Sequence, residues 1–199
     1  MALRCDVAAE HASRSTGVPA AVLMAIARVE TGRTIGGALA PWPWTVNEAG
    51  SGSFFDSADQ AVTHVTGAIA TGASNIDIGC FQVNLRWHGA EFASLDAMFD
   101  PTKNALYAAR FLQTLHAEHG TWDGAVGAYH SRKPDAAEGY VRKVADVLNA
   151  PLPIGTEPDQ MADNEPVARD NRYPLLQGGG GGNGSLVFTG ASGARPLLR

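Results

Sequence analysis

Glu30 is the residue with the most suggestive chemical setting in the chain. It ends a nearly unbroken apolar run from Ala20. On a helical wheel Leu23 lies seven residues before it and Ile26 four, so all three share one face. Arg28, the other charge of the run, points roughly the opposite way. A lone carboxyl on the apolar stripe of a helix, close to its C-terminus, is disfavoured as an anion by burial and by the negative end of the helix dipole. A carboxyl that keeps its proton near neutral pH is what general acid catalysis requires. A helix-terminal Glu can equally form a plain ion pair, here with Arg33, and this helix by itself leaves both readings open.

The elements that would position Glu30 are mostly helical. Residues 5–15 read as a first helix ending near Thr16-Gly17, and Pro19 suits the first turn of a second helix that runs to Glu30. Gly32 is a natural helix stop. Asp56 or Ser57 can cap a third helix with Val62, Val65 and Ile69 on one face. Asp100-Pro101 opens a fourth, with Ala105, Ala108, Leu112 and Leu115 inward. Trp122 to Tyr129 is a short fifth, and Pro134 precedes a sixth whose inner face is Tyr140, Val144, Val147 and Leu148. Between the second and third helices, Pro41-Trp42-Pro43-Trp44-Thr45-Val46-Asn47 leads through Gly50 and Gly52 to Phe54-Phe55, the pattern of a small β-hairpin. The expected class is mainly α with one minor hairpin.

The 199 residues divide unevenly. Residues 151–199 hold 6 of the 11 Pro and 9 of the 23 Gly, including the run Gly178 to Gly182. Such a stretch cannot bury enough apolar surface to offset its ordering entropy, so it reads as a flexible tail behind a domain of residues 1–150. Ser185-Leu186-Val187-Phe188 and Pro196-Leu197-Leu198 are apolar enough to dock on a partner, and a plain extension fits the composition as well. A net charge of −5 argues against a nucleic-acid partner. His116 and His119 stand three apart on one helix without a third ligand, and the pentaglycine run lacks the Lys-Ser/Thr of a phosphate loop. No metal site and no cofactor is expected.

Three segments in order carry a resemblance. Ala27-Arg28-Val29-Glu30-Thr31-Gly32 resembles the Glu-Ser motif of lytic transglycosylases related to goose-type lysozyme, the SLT-domain family. Ile78-Gly79-Cys80-Phe81-Gln82-Val83-Asn84 is similar to its Gly-Leu-Met-Gln-Val/Ile motif, and Ala128-Tyr129-His130-Ser131 to its Ala-Tyr-Asn motif. The resemblance spans about residues 5–148. The Trp-Pro-Trp-Thr-Val-Asn segment and residues 77–84 are most similar to the flagellar soluble lytic transglycosylases, which serve envelope-spanning machines.

The resemblance implies a lysozyme-like helical domain that cleaves the β-1,4 bond between N-acetylmuramic acid and N-acetylglucosamine in peptidoglycan without water, leaving 1,6-anhydro ends. Glu30 would be the catalytic acid, then the base. Most glycosidases use a second carboxylate; none falls within the three motifs, and Asp77, the nearest, could equally cap a turn. Gln82 corresponds to a residue beside the cleaved bond. Tyr129 corresponds to a Tyr whose hydroxyl would orient Glu30 or hold the acetamido group. Thr31 keeps the hydroxyl of the usual Ser, Phe81 gives an apolar floor, and His130 replaces Asn and brings pH sensitivity. Asn84 and Trp44 complete the expected sugar-binding set, although hairpin packing competes for Trp42 and Trp44. The alternatives are a lysozyme-type hydrolase and a non-catalytic peptidoglycan-binding adapter acting through the tail.

Cys5 and Cys80 are the chain's two cysteines. Because peptidoglycan lies where disulfides persist, the resemblance implies a Cys5–Cys80 bond and a periplasmic location. Met1-Ala-Leu-Arg carries no apolar leader, so either a leader has been removed or export takes another route. The expected partners are glycan strands and, through the tail, a flagellar rod or secretion-system protein, with the chain itself a monomer. A chain truncated near residue 150 should keep its activity on isolated peptidoglycan; loss of activity would show that the tail belongs to the fold.

Overall fold

The computed structural model describes residues 3–150; the tail and its docking segments, residues 151–199, lie outside the described residues. Helix α1 (Leu3–Thr16) is followed by α2 (Ala20–Thr31), with Pro19 one position earlier than expected, at the N-cap, where its carbonyl accepts from Val22 and Leu23 N–H. Arg28 does point away from Glu30: its guanidinium grips both carboxylate oxygens of Asp6 on α1 at 2.8 and 3.1 Å. The stop after α2 has a different cause from the one expected. Gly32 is extended, with φ −64°, and a Cβ there would meet the Arg28 carbonyl at 2.2 Å. It is glycine for space.

The expected single hairpin is part of a larger β region. Strands β1 (Gly32–Ile35) and β2 (Ala38–Pro41) form one antiparallel pair, and β3 (Thr45–Glu48) with β4 (Ser51–Phe54) forms the foreseen hairpin. Beyond it, β5 (Ile76–Ile78) pairs with the free edge of β3, and β6 (Val83–Asn84) pairs with β5, giving the order β4-β3-β5-β6. Strands of two to four residues leave too little alternation to read from sequence. Their register matters. Asn47 faces Asp77 and Asp77 faces Asn84, while Val46, Ile78 and Val83 form the adjacent buried row.

The helical part follows its caps. Ser57, rather than Asp56, caps α3 (Ala58–Ala70) by accepting from Gln60 N–H. Val65 is buried on that helix, Val62 half-buried, and Ile69, expected inward, is 45% exposed. Two short helices, α4 (Leu85–His88) and α5 (Leu95–Phe99), lead to α6 (Pro101–His119), which Asp100 caps through Lys103 N–H. Helices α7 (Trp122–His130) and α8 (Pro134–Asn149) complete the domain. Ala105, Ala108, Leu112, Leu115, Tyr140 and Val144 are buried as expected; Val147 and Leu148 are half-buried. Helix α1 packs on α6 and α2, and α8 packs on α2 and α7, so Glu30 ends a helix enclosed on several sides. Among the described residues, no helix is long and apolar enough to cross a membrane.

Cys5 of α1 and Cys80 form a disulfide with Cα atoms 5.7 Å apart, at positions 75 apart in sequence. Closing a loop of that length restricts the unfolded chain by about 4 kcal/mol on the chain-entropy model. Reduction, or the Cys5→Ala/Cys80→Ala pair, should lower stability by about that amount in urea unfolding, with the native helical circular dichroism kept at low denaturant.

Candidate functional site

The segment between β5 and β6 determines where Gln82 lies, and several other elements bond its buried backbone. Asn104, wholly buried on α6, donates from its amide to the carbonyls of Ile78 and Met98 and accepts from Phe81 N–H. The Thr31 hydroxyl donates to the Cys80 carbonyl at 3.2 Å and to its own helix at Ala27. The Tyr129 hydroxyl donates to the Phe81 carbonyl at 2.7 Å. Gly79 N–H bonds the Thr45 carbonyl, and Gln82 N–H closes a turn onto Gly79. Gly79 has φ +80°, and a Cβ there would lie 2.8 Å from the Asn104 amide. Gln82 itself is held at φ +47°, a conformation uncommon for a side chain of its size.

Glu30 is buried and points into a cavity of about 320 Å³. Its Oε1 accepts from the Tyr140 hydroxyl of α8 at 2.5 Å. Burial pushes its pKa from the ordinary 4.5 up to about 7; the Tyr140 hydrogen bond opposes this, the charge of Asp77 adds to it, and Lys143 opposes it. Arg33 lies over the rings of Trp42 and Phe54, 4.6 and 5.2 Å from their centres.

Asp77 does not cap a turn. It stands on β5, in the middle of the Asn47–Asp77–Asn84 row, and lines the same cavity as Glu30. Asn84 donates to one of its oxygens at 2.7 Å and Asn47 to the other at 3.4 Å. Burial raises its pKa and the Asn84 hydrogen bond lowers it. Gln82 also lines the cavity. Its amide nitrogen donates to the carbonyls of Gly79 and Thr45, which fixes the orientation of the group and leaves Oε1 buried without a donor.

The expected residues therefore separate. Glu30, Gln82, Asn84, Tyr129 and His130 all line one cavity. Thr31 does not: it is wholly buried and holds the Cys80 carbonyl. Trp44 is core, edge-on to Trp42 with the Arg4 guanidinium over its ring. Phe81 is wholly buried behind the loop and does not line the cavity. Tyr129 spends its hydroxyl on the loop, so the residue that orients Glu30 is Tyr140, which the helical pattern identifies only as core. His130 stacks on Tyr140 at 4.6 Å with the rings 7° from parallel, and burial lowers its pKa, with Lys143 adding to the effect. Sequence reasoning missed Asn47, Trp87, His88, Tyr107 and Phe111 on the cavity wall. Trp87 and His88 lie five and six residues after Gln82, which was the available signal.

Among the described residues, no group of three or more His, Cys, Asp or Glu could hold a metal ion; His116 packs against the Trp122 ring. No family model, curated protein or solved structure matches the chain.

A carboxyl whose pKa is raised on folding binds a proton in the native state that the unfolded chain has already lost. The resulting stability cost is absent below pH 4.5, grows as pH rises, and is complete above about 7. Glu30→Gln should therefore be more stable than the parent above pH 7, by roughly 3 kcal/mol, with the difference vanishing toward acid. Carboxyl titration followed by NMR should move upward in Tyr140→Phe and downward in Asp77→Asn. The same direction in both variants would contradict the assigned causes.

Proposed function

We propose that the protein is a peptidoglycan lytic transglycosylase with a lysozyme-like domain. The observation that carries this reading is the buried Glu30 carboxyl, its pKa pushed up to about 7 and its orientation fixed by Tyr140, on a cavity that Gln82 and Tyr129 also line. The reading unites these features with the three-motif resemblance, whose Glu, Gln and Tyr fall on one cavity wall as Glu30, Gln82 and Tyr129.

In this reaction Glu30 gives its proton to the glycosidic oxygen as the bond to the muramic acid C1 breaks. The acetamido oxygen of the same sugar closes on C1 and carries the developing charge. Glu30, now a carboxylate, takes the proton of the C6 hydroxyl, and O6 displaces the acetamido oxygen to give the 1,6-anhydro ring. The carboxyl ends as it began, so no water and no second carboxyl is consumed. A pKa near 7 suits a group that must both give and take a proton. The disulfide fits an oxidising compartment such as the periplasm, and action for a flagellar or secretion machine through residues 151–199 belongs to the same proposal.

Asp77 favours one second reading. A carboxylate held by two amides in the cavity of the acid can activate a water, which would make the protein a lysozyme-type hydrolase. Mass spectrometry of digested peptidoglycan separates the cases. Anhydro-muropeptides from the parent chain, cut at least ~1,000-fold in Glu30→Gln and still anhydro in Asp77→Asn, are expected. Reducing-end products that disappear in Asp77→Asn would establish the hydrolase. Absence of products from every variant would leave a glycan-binding adapter.

A further inference from the structure

Trp87 is 71% exposed, the most exposed large apolar side chain among the described residues, and it lines the Glu30 cavity. Val7, Ile35 and Ile69 are also exposed, but none reaches that cavity. An indole left in water at the mouth of a polar cavity, with no core contact to explain it, calls for a ligand.

Its position is fixed. The Asn84 side-chain oxygen Oδ1 accepts from the backbone N–H of Arg86 and Trp87, at 3.0 and 3.3 Å, and its side-chain nitrogen donates to Asp77. The short helix α4 is thereby tied to the polar row of the sheet, which places the Trp87 backbone beside that row. The Arg86 guanidinium lies 5.0 Å from the Trp87 ring centre and covers one face of it. Next along the chain, His88 accepts or donates at Nδ1 with the Tyr107 hydroxyl at 2.7 Å and packs on the rings of Tyr107 and Phe111. Burial lowers its pKa, which favours the neutral ring; with Tyr107 donating to Nδ1, Nε2 keeps the proton.

We infer that Trp87 is the stacking platform of a sugar subsite beside Glu30, and that the ring it receives is an N-acetylated hexosamine of the glycan strand. The inference rests on the glycan-cleaving reading above and adds the residue that binds. A pyranose ring has an apolar C–H face and a rim of hydroxyls. The cavity lining offers both kinds of contact: the Trp87 indole, and Asn47, Asp77 and Asn84 as hydrogen-bonding partners. Hydroxyl and amide groups of a sugar can add hydrogen bonds to that row, whereas an anionic ligand would meet the carboxyls of Glu30 and Asp77.

The test is chitotriose binding to the full-length Glu30→Gln chain, followed by calorimetry and tryptophan fluorescence. Adding Trp87→Ala should weaken binding ~10-fold or more and remove most of the fluorescence change, while Trp87→Phe keeps much of the affinity. Because the side chain is exposed, thermal melting should be unchanged in both, which separates lost stacking from lost fold. Chitotriose bound equally well by Trp87→Ala overturns the platform and leaves the cleavage reading intact. No chitotriose binding by Glu30→Gln overturns the subsite as well; the peptidoglycan digestion above then decides separately whether the chain cleaves glycan.

Discussion

The segment from Ile78 to Gln82 can be buried only because other elements satisfy its backbone. An unpaired amide group away from water costs as much as a lost hydrogen bond, so a buried irregular loop is stable only when every group is paired. Here the partners come from separate parts of the chain: Thr45 of β3, Thr31 of α2, Asn104 of α6 and Tyr129 of α7. The disulfide adds α1. Four helices and a strand thus converge on five residues, and the position of Gln82 relative to Glu30 follows from that convergence. The left-handed backbone at Gln82 is held by the same contacts, since its amide nitrogen is bonded back to the loop.

That arrangement explains why Thr31 and Tyr129 both lie close to Glu30 and yet neither hydroxyl bonds it. Tyr129 commits its proton to the Phe81 carbonyl, and Thr31 shares its proton between the Ala27 and Cys80 carbonyls. A carboxyl in so apolar a setting still needs a donor to fix its rotamer, and the opposite side of α2 from Arg28 and Asp6 faces α8. Tyr140 meets that need, with its ring stacked on His130, so α7 and α8 together set the orientation of the acid. Tyr140 is itself buried, with a pKa well above 10 because of burial and the nearby Glu30 charge, and so it acts as a fixed donor.

Local chemistry was legible in the sequence and long-range pairing was not. Asp100-Pro101 and Ser57 announce helix starts because a cap is a contact within three residues. The apolar face of α2 announces a buried Glu30 for a similar reason. Tyr140 lies 110 residues from Glu30, and Asn104 lies 23 and 26 residues from the loop groups it bonds, so no periodicity marks either. Asn104 appears in a helical pattern as one polar residue beside Ala105. Trp44 was ambiguous between core and sugar contact because an indole suits both; packing against Trp42 and Arg4 decided it. Asp77 needed the register of a three-residue strand before it could be placed across from Asn47 and Asn84.

The same register gives the two carboxyls of the cavity unlike surroundings. Glu30 sits at the end of a helix, where the dipole and the lack of water both favour the neutral acid, and a single hydroxyl supports the anion. Asp77 sits in a sheet row between two amides, each turned to donate to it. Amide N–H groups cannot be satisfied by one another, so the row needs an acceptor at its centre, and the carboxylate form provides it. The negative charge kept there in turn makes ionising Glu30 harder, which is the direction of its effect on that group. Glu30 is therefore the carboxyl pushed furthest toward the neutral form, and the polar setting of Asp77 comes from the strand order β3-β5-β6.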